Sequence, residues 1–145
     1  MKLKTSPDFS IKRDKAEPKS LDNQVAKVAS ELLNSAVSYH KLHLKVTGTG
    51  SFAQHKGLNE IYDSLPDSAD DLVEQYQGAA EILITIPDEA PKTLNTVKEG
   101  LSHANYLKDM ITDLQSKLPY SEIVNSLDET KSTLNSLKYK LIFLS

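Results

Sequence analysis

The sequence contains no cysteine. Disulfides, thiolate zinc sites and thiol nucleophiles are therefore excluded, and the composition suits a reducing compartment. It also has no apolar run of the roughly eighteen residues needed for a membrane-spanning helix. The amino-terminal stretch MKLKTSPDFSIKRDKAEPKS lacks the apolar centre of a signal peptide. A soluble, cytoplasmic protein is the expectation. No Glu-x-x-His pair occurs anywhere, which argues against a di-iron bundle built within one subunit.

At 145 residues, the chain is long enough for one domain with a sizeable core. Its net charge of -3 hides an asymmetry. Residues 1–20 hold Lys2, Lys4, Lys12, Arg13, Lys15 and Lys19 against three acidic residues, which leaves the body of the chain acidic. A basic, proline-containing arm of low hydrophobicity can contact phosphate backbones without reading sequence. The plainer reading is a solubilising leader. Phe9 is the arm's one aromatic residue, so any DNA contact would be electrostatic. The expected division is a flexible arm over 1–20 and a helical domain over 21–145.

Apolar steps of three and four residues predict four helices. The first spans Leu21 to about Val46, capped by Ser20, with Val25, Val28, Leu32, Ala36, His40 and His43 along one stripe. TGTGS stops it, and a second helix runs from about Phe52 to Ala80. That helix places His55, Leu58, Asn59, Tyr62 and Leu65 on one face and is kinked at Pro66. ILITIPDEAP reads as a connector, since a lone strand would have no partner. Helices over Lys92–Leu118 and Tyr120–Leu144 complete an all-α four-helix bundle, the last capped by Ser121.

Three of four histidines fall in HKLHLKVTGTGSFAQH, at positions 40, 43 and 55. Asp70 and Glu74 stand four apart, so both carboxylates leave one helical face a turn apart. Histidine with carboxylate suits iron or zinc. Taken singly, the histidines read equally as hydrogen-bonded core and the acidic pair as a solvated surface. His103 has no such partners at helical spacing and reads as structural or exposed.

Together these residues resemble the Dps miniferritins, starvation-induced DNA-binding proteins with a ferritin-like bundle. In that family a histidine ends the first helix, and a glycine turn, a phenylalanine and a second histidine come after it. His43, Phe52 and His55 reproduce that order, and Asp70 and Glu74 match the family's aspartate and glutamate. PDEAPKTL and LNSLKYKLIFL resemble its connector and closing helix. The resemblance implies a ferritin-like bundle with a crossover between helices 2 and 3. It implies a hollow dodecamer with ferroxidase centres shared across dimer interfaces, oxidising Fe(II) with peroxide or oxygen and storing ferric iron. His43 and His55 would ligate iron from one subunit, and Asp70 and Glu74 from its neighbour. The sequence departs from the family pattern at Asn59, where an acidic residue is expected, and at Leu44, in place of tryptophan. Glu60 is then a candidate compensating carboxylate, and His40 a neighbour of the metal ligands. Two other readings are a Dps-like assembly protein with a degenerate site, and a helical DNA- or partner-binding module without metal.

Overall fold

A computed structural model describes residues 20–144. Its helices are α1 (Leu21–His43), α2 (Ser51–Ala80), α3 (Val97–Gln115) and α4 (Ser121–Phe143), with no strand among the described residues. The basic positions Lys2, Lys4, Lys12, Arg13, Lys15 and Lys19 lie outside the described residues.

Local chemistry sets the helix ends. Ser20 caps α1 as the sequence predicts, its hydroxyl accepting from the Asn23 amide at 3.2 Å. The third helix starts later than Lys92, because Thr96 and Glu99 build a reciprocal cap. The Glu99 amide donates to Thr96 Oγ1 at 3.1 Å, and the Asn95 amide donates to Glu99 Oε1 at 2.7 Å. Ser121 is the first residue of α4 rather than its cap, which falls at Tyr120 with no side-chain bond. Pro66 sits inside α2 without ending it.

The four helices enclose one apolar core. α1 packs against α2 and α3, and α4 packs against the same two. Contacts across α1 and α2 pair the start of one with the end of the other, Asp22 with Tyr76 and His43 with His55, so the two run antiparallel. α1 and α3 meet where Tyr39 Oη donates to the Gly100 carbonyl at 2.8 Å. A Cβ at Gly100 would lie 2.8 Å from a Leu42 methyl, so glycine permits this close approach.

Residues 81–96 form the connector expected from ILITIPDEAP. It is held by a polar row on α1, and by Lys45 just beyond the end of that helix, rather than by strand pairing. Ser30 Oγ donates to the Pro87 carbonyl (3.2 Å) and Asn34 Nδ2 to the Glu89 carbonyl (2.9 Å). Ser38 Oγ donates to the Lys92 carbonyl, and Lys45 Nζ to the Leu94 carbonyl (3.0 Å). Steps of four along α1 put the first three donors in line, satisfying carbonyls that an unpaired extended segment would otherwise leave without protein partners. The connector therefore runs parallel to α1.

His103 proves to be buried. Its Nε2 lies 2.7 Å from Ser35 Oγ, and its ring packs edge-on to Tyr39. Burial, and then the nearby Lys92 charge, lower its pKa below the usual 6.5, with Glu31 opposing. The unfolded chain then binds the proton more readily than the folded one, so stability must fall as pH drops below about 6.5. We expect urea midpoints to decrease from pH 7.5 to 5.5 and to decrease less in His103→Gln. An identical pH slope in the two proteins would contradict this.

Candidate metal centre

Three features bring the histidines together. α1 ends at His43, the TGTG turn comes next with Gly48 and Gly50 at φ of 88° and 81°, and α2 starts at Ser51. Both glycines occupy left-handed backbone that side-chain-bearing residues rarely adopt. The chain reverses over a few residues, and the His43 and His55 rings come to rest with centroids 3.6 Å apart.

The two rings differ in setting. His43 is buried, with 8 % of its surface exposed, and neither Nδ1 nor Nε2 has a hydrogen-bond partner. His55 is exposed rather than on the inner face that the sequence pattern assigned to it. Burial first, then the proximity of His55 and His40, lowers the His43 pKa, while Asp63 opposes this. A lowered pKa keeps the imidazole neutral near pH 7, the form that binds metals. Leaving a buried polar group unpaired costs about 1–3 kcal/mol. The His43 ring thus presents two unpaired nitrogens beside a second imidazole.

The surroundings hold Asp63, which the sequence reading missed, and contacts among His40, Asn59 and Tyr62 that it could not give. His40 is exposed and stacks on Tyr62, with centroids 4.0 Å apart and planes within 6°. Tyr62 also meets His43 edge-on at 5.1 Å. Its hydroxyl donates to Asn59 Oδ1 at 2.7 Å, and Asn59 Nδ2 donates to Asp63 Oδ2 at 3.0 Å. Asn59 therefore ties a phenol to a carboxylate. The signal was present as steps of three and four: 55, 59, 62 and 63 share one side of α2. Glu60 points elsewhere, to Lys140 of α4 at 3.2 Å, and does not join the histidines.

Asp70 and Glu74 are exposed and lie further along the same side of α2. Fifteen and nineteen residues beyond His55, at 1.5 Å per residue, they are about 22 and 28 Å away along the axis. Among the described residues, no three or more histidine or carboxylate side chains of one chain are grouped so as to hold a metal ion. The chain thus brings His43 and His55 together and holds Asp70 and Glu74 apart from them. No helix among the described residues is long and apolar enough to cross a membrane.

A pocket of about 440 Å³ lies between α1, α3 and the connector, near the other end of the bundle. It is lined by Asn23, Lys27, Pro87 and Asp113 among others, and by no histidine.

Residues 43–141, the span holding His43, His55, Asp70 and Glu74, match a family model. A protein of Enterobacteria phage T4, described as an uncharacterized 14.6 kDa protein in the mobD-ri intergenic region, is 31% identical over 116 residues. That alignment covers 78% of this chain and 81% of the phage protein. No solved structure matches the chain. The chain belongs to the matched family, described as a family of unknown function (DUF5856).

Proposed function

We propose that this protein is a Dps-like miniferritin that binds and oxidises Fe(II) at sites shared between subunits and stores ferric iron in a hollow oligomer. The observation that carries the reading is His43, buried beside His55 with both ring nitrogens unpartnered. Iron enters as substrate, with His43 and His55 as nitrogen donors and Asp70 and Glu74 of a second copy as oxygen donors. Zinc suits the same donor set.

The fold supports a ferritin-like crossover. α2 and α3 are consecutive, yet the main helix contacts join each of them to α1 and α4. The connector between them runs back along α1 through Ser30, Asn34 and Ser38. That return leaves α2 and α3 running in the same direction.

The outer flank of α1 and α2 supports pairing with a second copy. A two-fold axis that carries His55 onto the partner's acidic pair must cross α2 midway between them, near residues 63–64. At that level α1 presents Leu33 and Val37, exposed by 39 and 41 %. Leu44 and Phe52 are exposed at the histidine end. Apolar side chains exposed along the same flank as the candidate ligands suit a self-complementary interface.

One observation favours a second reading, an assembly protein with the same packing but a degenerate site. Asn59 engages Tyr62 and Asp63 and brings no negative charge to the histidines. Loss of a carboxylate weakens the attraction for Fe(II) and Fe(III).

Anaerobic Fe(II) titration separates the two. Binding should be lost in both His43→Ala and Glu74→Ala, by more than the roughly 10–100-fold typical of outer-sphere changes. Peroxide should then generate ferric absorbance in the wild type alone. Unchanged binding in both variants would remove the site assignment.

The arm carrying Lys2, Lys4, Lys12, Arg13, Lys15 and Lys19 extends the proposal to non-specific DNA contact. Deleting residues 1–20 should abolish gel retardation at low salt. Retardation that survives the deletion would place any contact on the helical body.

A further inference from the structure

We infer that copies of this chain also associate head to tail, the histidine end of one bundle seated on the opposite end of the next. The inference deepens the oligomer proposed above but draws on other residues, apart from the flank of α1 and α2.

Contacts between helices define the two ends. Tyr39 of α1 reaches Gly100 of α3, where an added Cβ would also lie 4.0 Å from Leu141 of α4. Lys140 of α4 pairs with Glu60 of α2 at 3.2 Å. The close of α1, the start of α2, the start of α3 and the close of α4 therefore share the histidine end. The remaining termini share the other end, where Tyr76 donates to Asp22 and Gln115 Nε2 donates to the Val124 carbonyl at 2.8 Å.

Charge divides between these ends. The outer turns and the residues beside them carry Lys41, Lys45, Lys56, Lys98, Lys138 and Lys140 at the histidine end, against Glu60 and Glu99. At the opposite end stand Asp22, Glu81, Asp109, Asp113, Glu122 and Asp128, against Lys27 and Lys117. Like ends therefore repel and unlike ends attract. The basic arm over residues 1–20 joins the bundle at the acidic end, so its cations compete there with an incoming copy.

Exposed apolar side chains mark the basic end as a contact face. Tyr139, Ile142, Phe143 and Leu144 are all exposed at the close of α4, Phe143 by 69 %. The Tyr139 and Phe143 rings meet at 5.6 Å between centroids. Apolar surface beside lysines suits an acidic partner that offers an apolar seat. The acidic end offers both. The pocket of about 440 Å³ lies among the first turns of α1, the last turns of α3 and the connector, where Ala26, Val28, Pro87, Met110 and Leu114 line it beside Asp113. Phe143 of one copy, seated in this pocket of the next, would bring the lysines of the first towards the carboxylates of the second. Such a contact joins two different surfaces, so it continues from copy to copy beyond a pair.

The test uses the full-length protein and two charge-reversed variants, sized by sedimentation velocity at low salt. Lys56→Glu with Lys98→Glu makes the histidine end acidic, and Asp109→Lys with Asp113→Lys makes the opposite end basic. All four positions are exposed. The wild type should form species larger than a pair that shrink as salt rises, because screening shortens from about 10 Å at 0.1 M to about 3 Å at 1 M. Each variant alone should fall to a pair or a single chain, because like charges then meet. An equal mixture of the two should recover the larger species, since each reversed end finds its reversed complement. Phe143→Ser should weaken assembly, and deletion of residues 1–20 should strengthen it. Reversed variants that keep the wild-type size would overturn the inference, as would a mixture that does not recover. A wild type no larger than a pair at low salt would also overturn it, and vesicle binding lost in Phe143→Ser would then assign this end to a phosphatidylserine surface. Fe(II) binding by the same samples reports separately on the metal reading, because none of the substituted residues is a candidate ligand.

Discussion

A helix of thirty residues cannot bring its two ends together, and the proposed chemistry of this protein depends on that constraint. α2 carries His55 in its first turns and Asp70 and Glu74 beyond its middle. Its continuous rise keeps the nitrogen donors about 22 Å or more from the oxygen donors. Pro66 removes one backbone donor but does not fold the helix back on itself. In the proposed pairing, a second copy turned end for end about the middle of α2 would bring both sets together twice. The exposed Leu33 and Val37 lie where such a copy would rest.

Contacts elsewhere in the fold position the histidine end of this helix pair. The TGTG turn sets the level of His43 against His55, and the Asp22–Tyr76 hydrogen bond ties the far ends of the same helices. On its other side, α1 is braced by Gly100 and His103 of α3 and by the connector carbonyls. His43 is therefore buried by packing rather than by its own polarity. Its nitrogens are left without the hydrogen bonds that a buried polar group normally has.

Much of this was legible in the sequence, because helical periodicity and turn chemistry are local. The four helices, the Ser20 cap, the glycine turn and the non-strand connector all arise from residues close to each other in the chain. Helix starts were misplaced where the cap depended on a particular side chain. Lys92 looked helical, but the Thr96–Glu99 pair fixes the start of α3. The pairing of His43 with His55 was legible from their positions on either side of a tight turn. Asp63 was missed, and Tyr62 was placed on the His55 face but given no role, because neither is diagnostic as a residue type; both are tied to Asn59, whose two bonds become visible only in three dimensions. The ion pair of Glu60 was not legible for the same reason, since its partner Lys140 is far away in sequence. Similarly, His103 was ambiguous until its neighbours on α1 were known.

The central claim is that one metal site draws on two chains, and subunit mixing tests it most directly. His43→Ala and Glu74→Ala proteins, each unable to bind Fe(II) alone, are unfolded together and refolded as a mixture. In a mixed pair, one site combines both defects. The other combines the intact His43 and His55 of one chain with the intact Asp70 and Glu74 of its partner. A shared site predicts that Fe(II) binding returns in the mixture, at one site per mixed pair. No recovery, with mixed pairs demonstrated by mass, would contradict it.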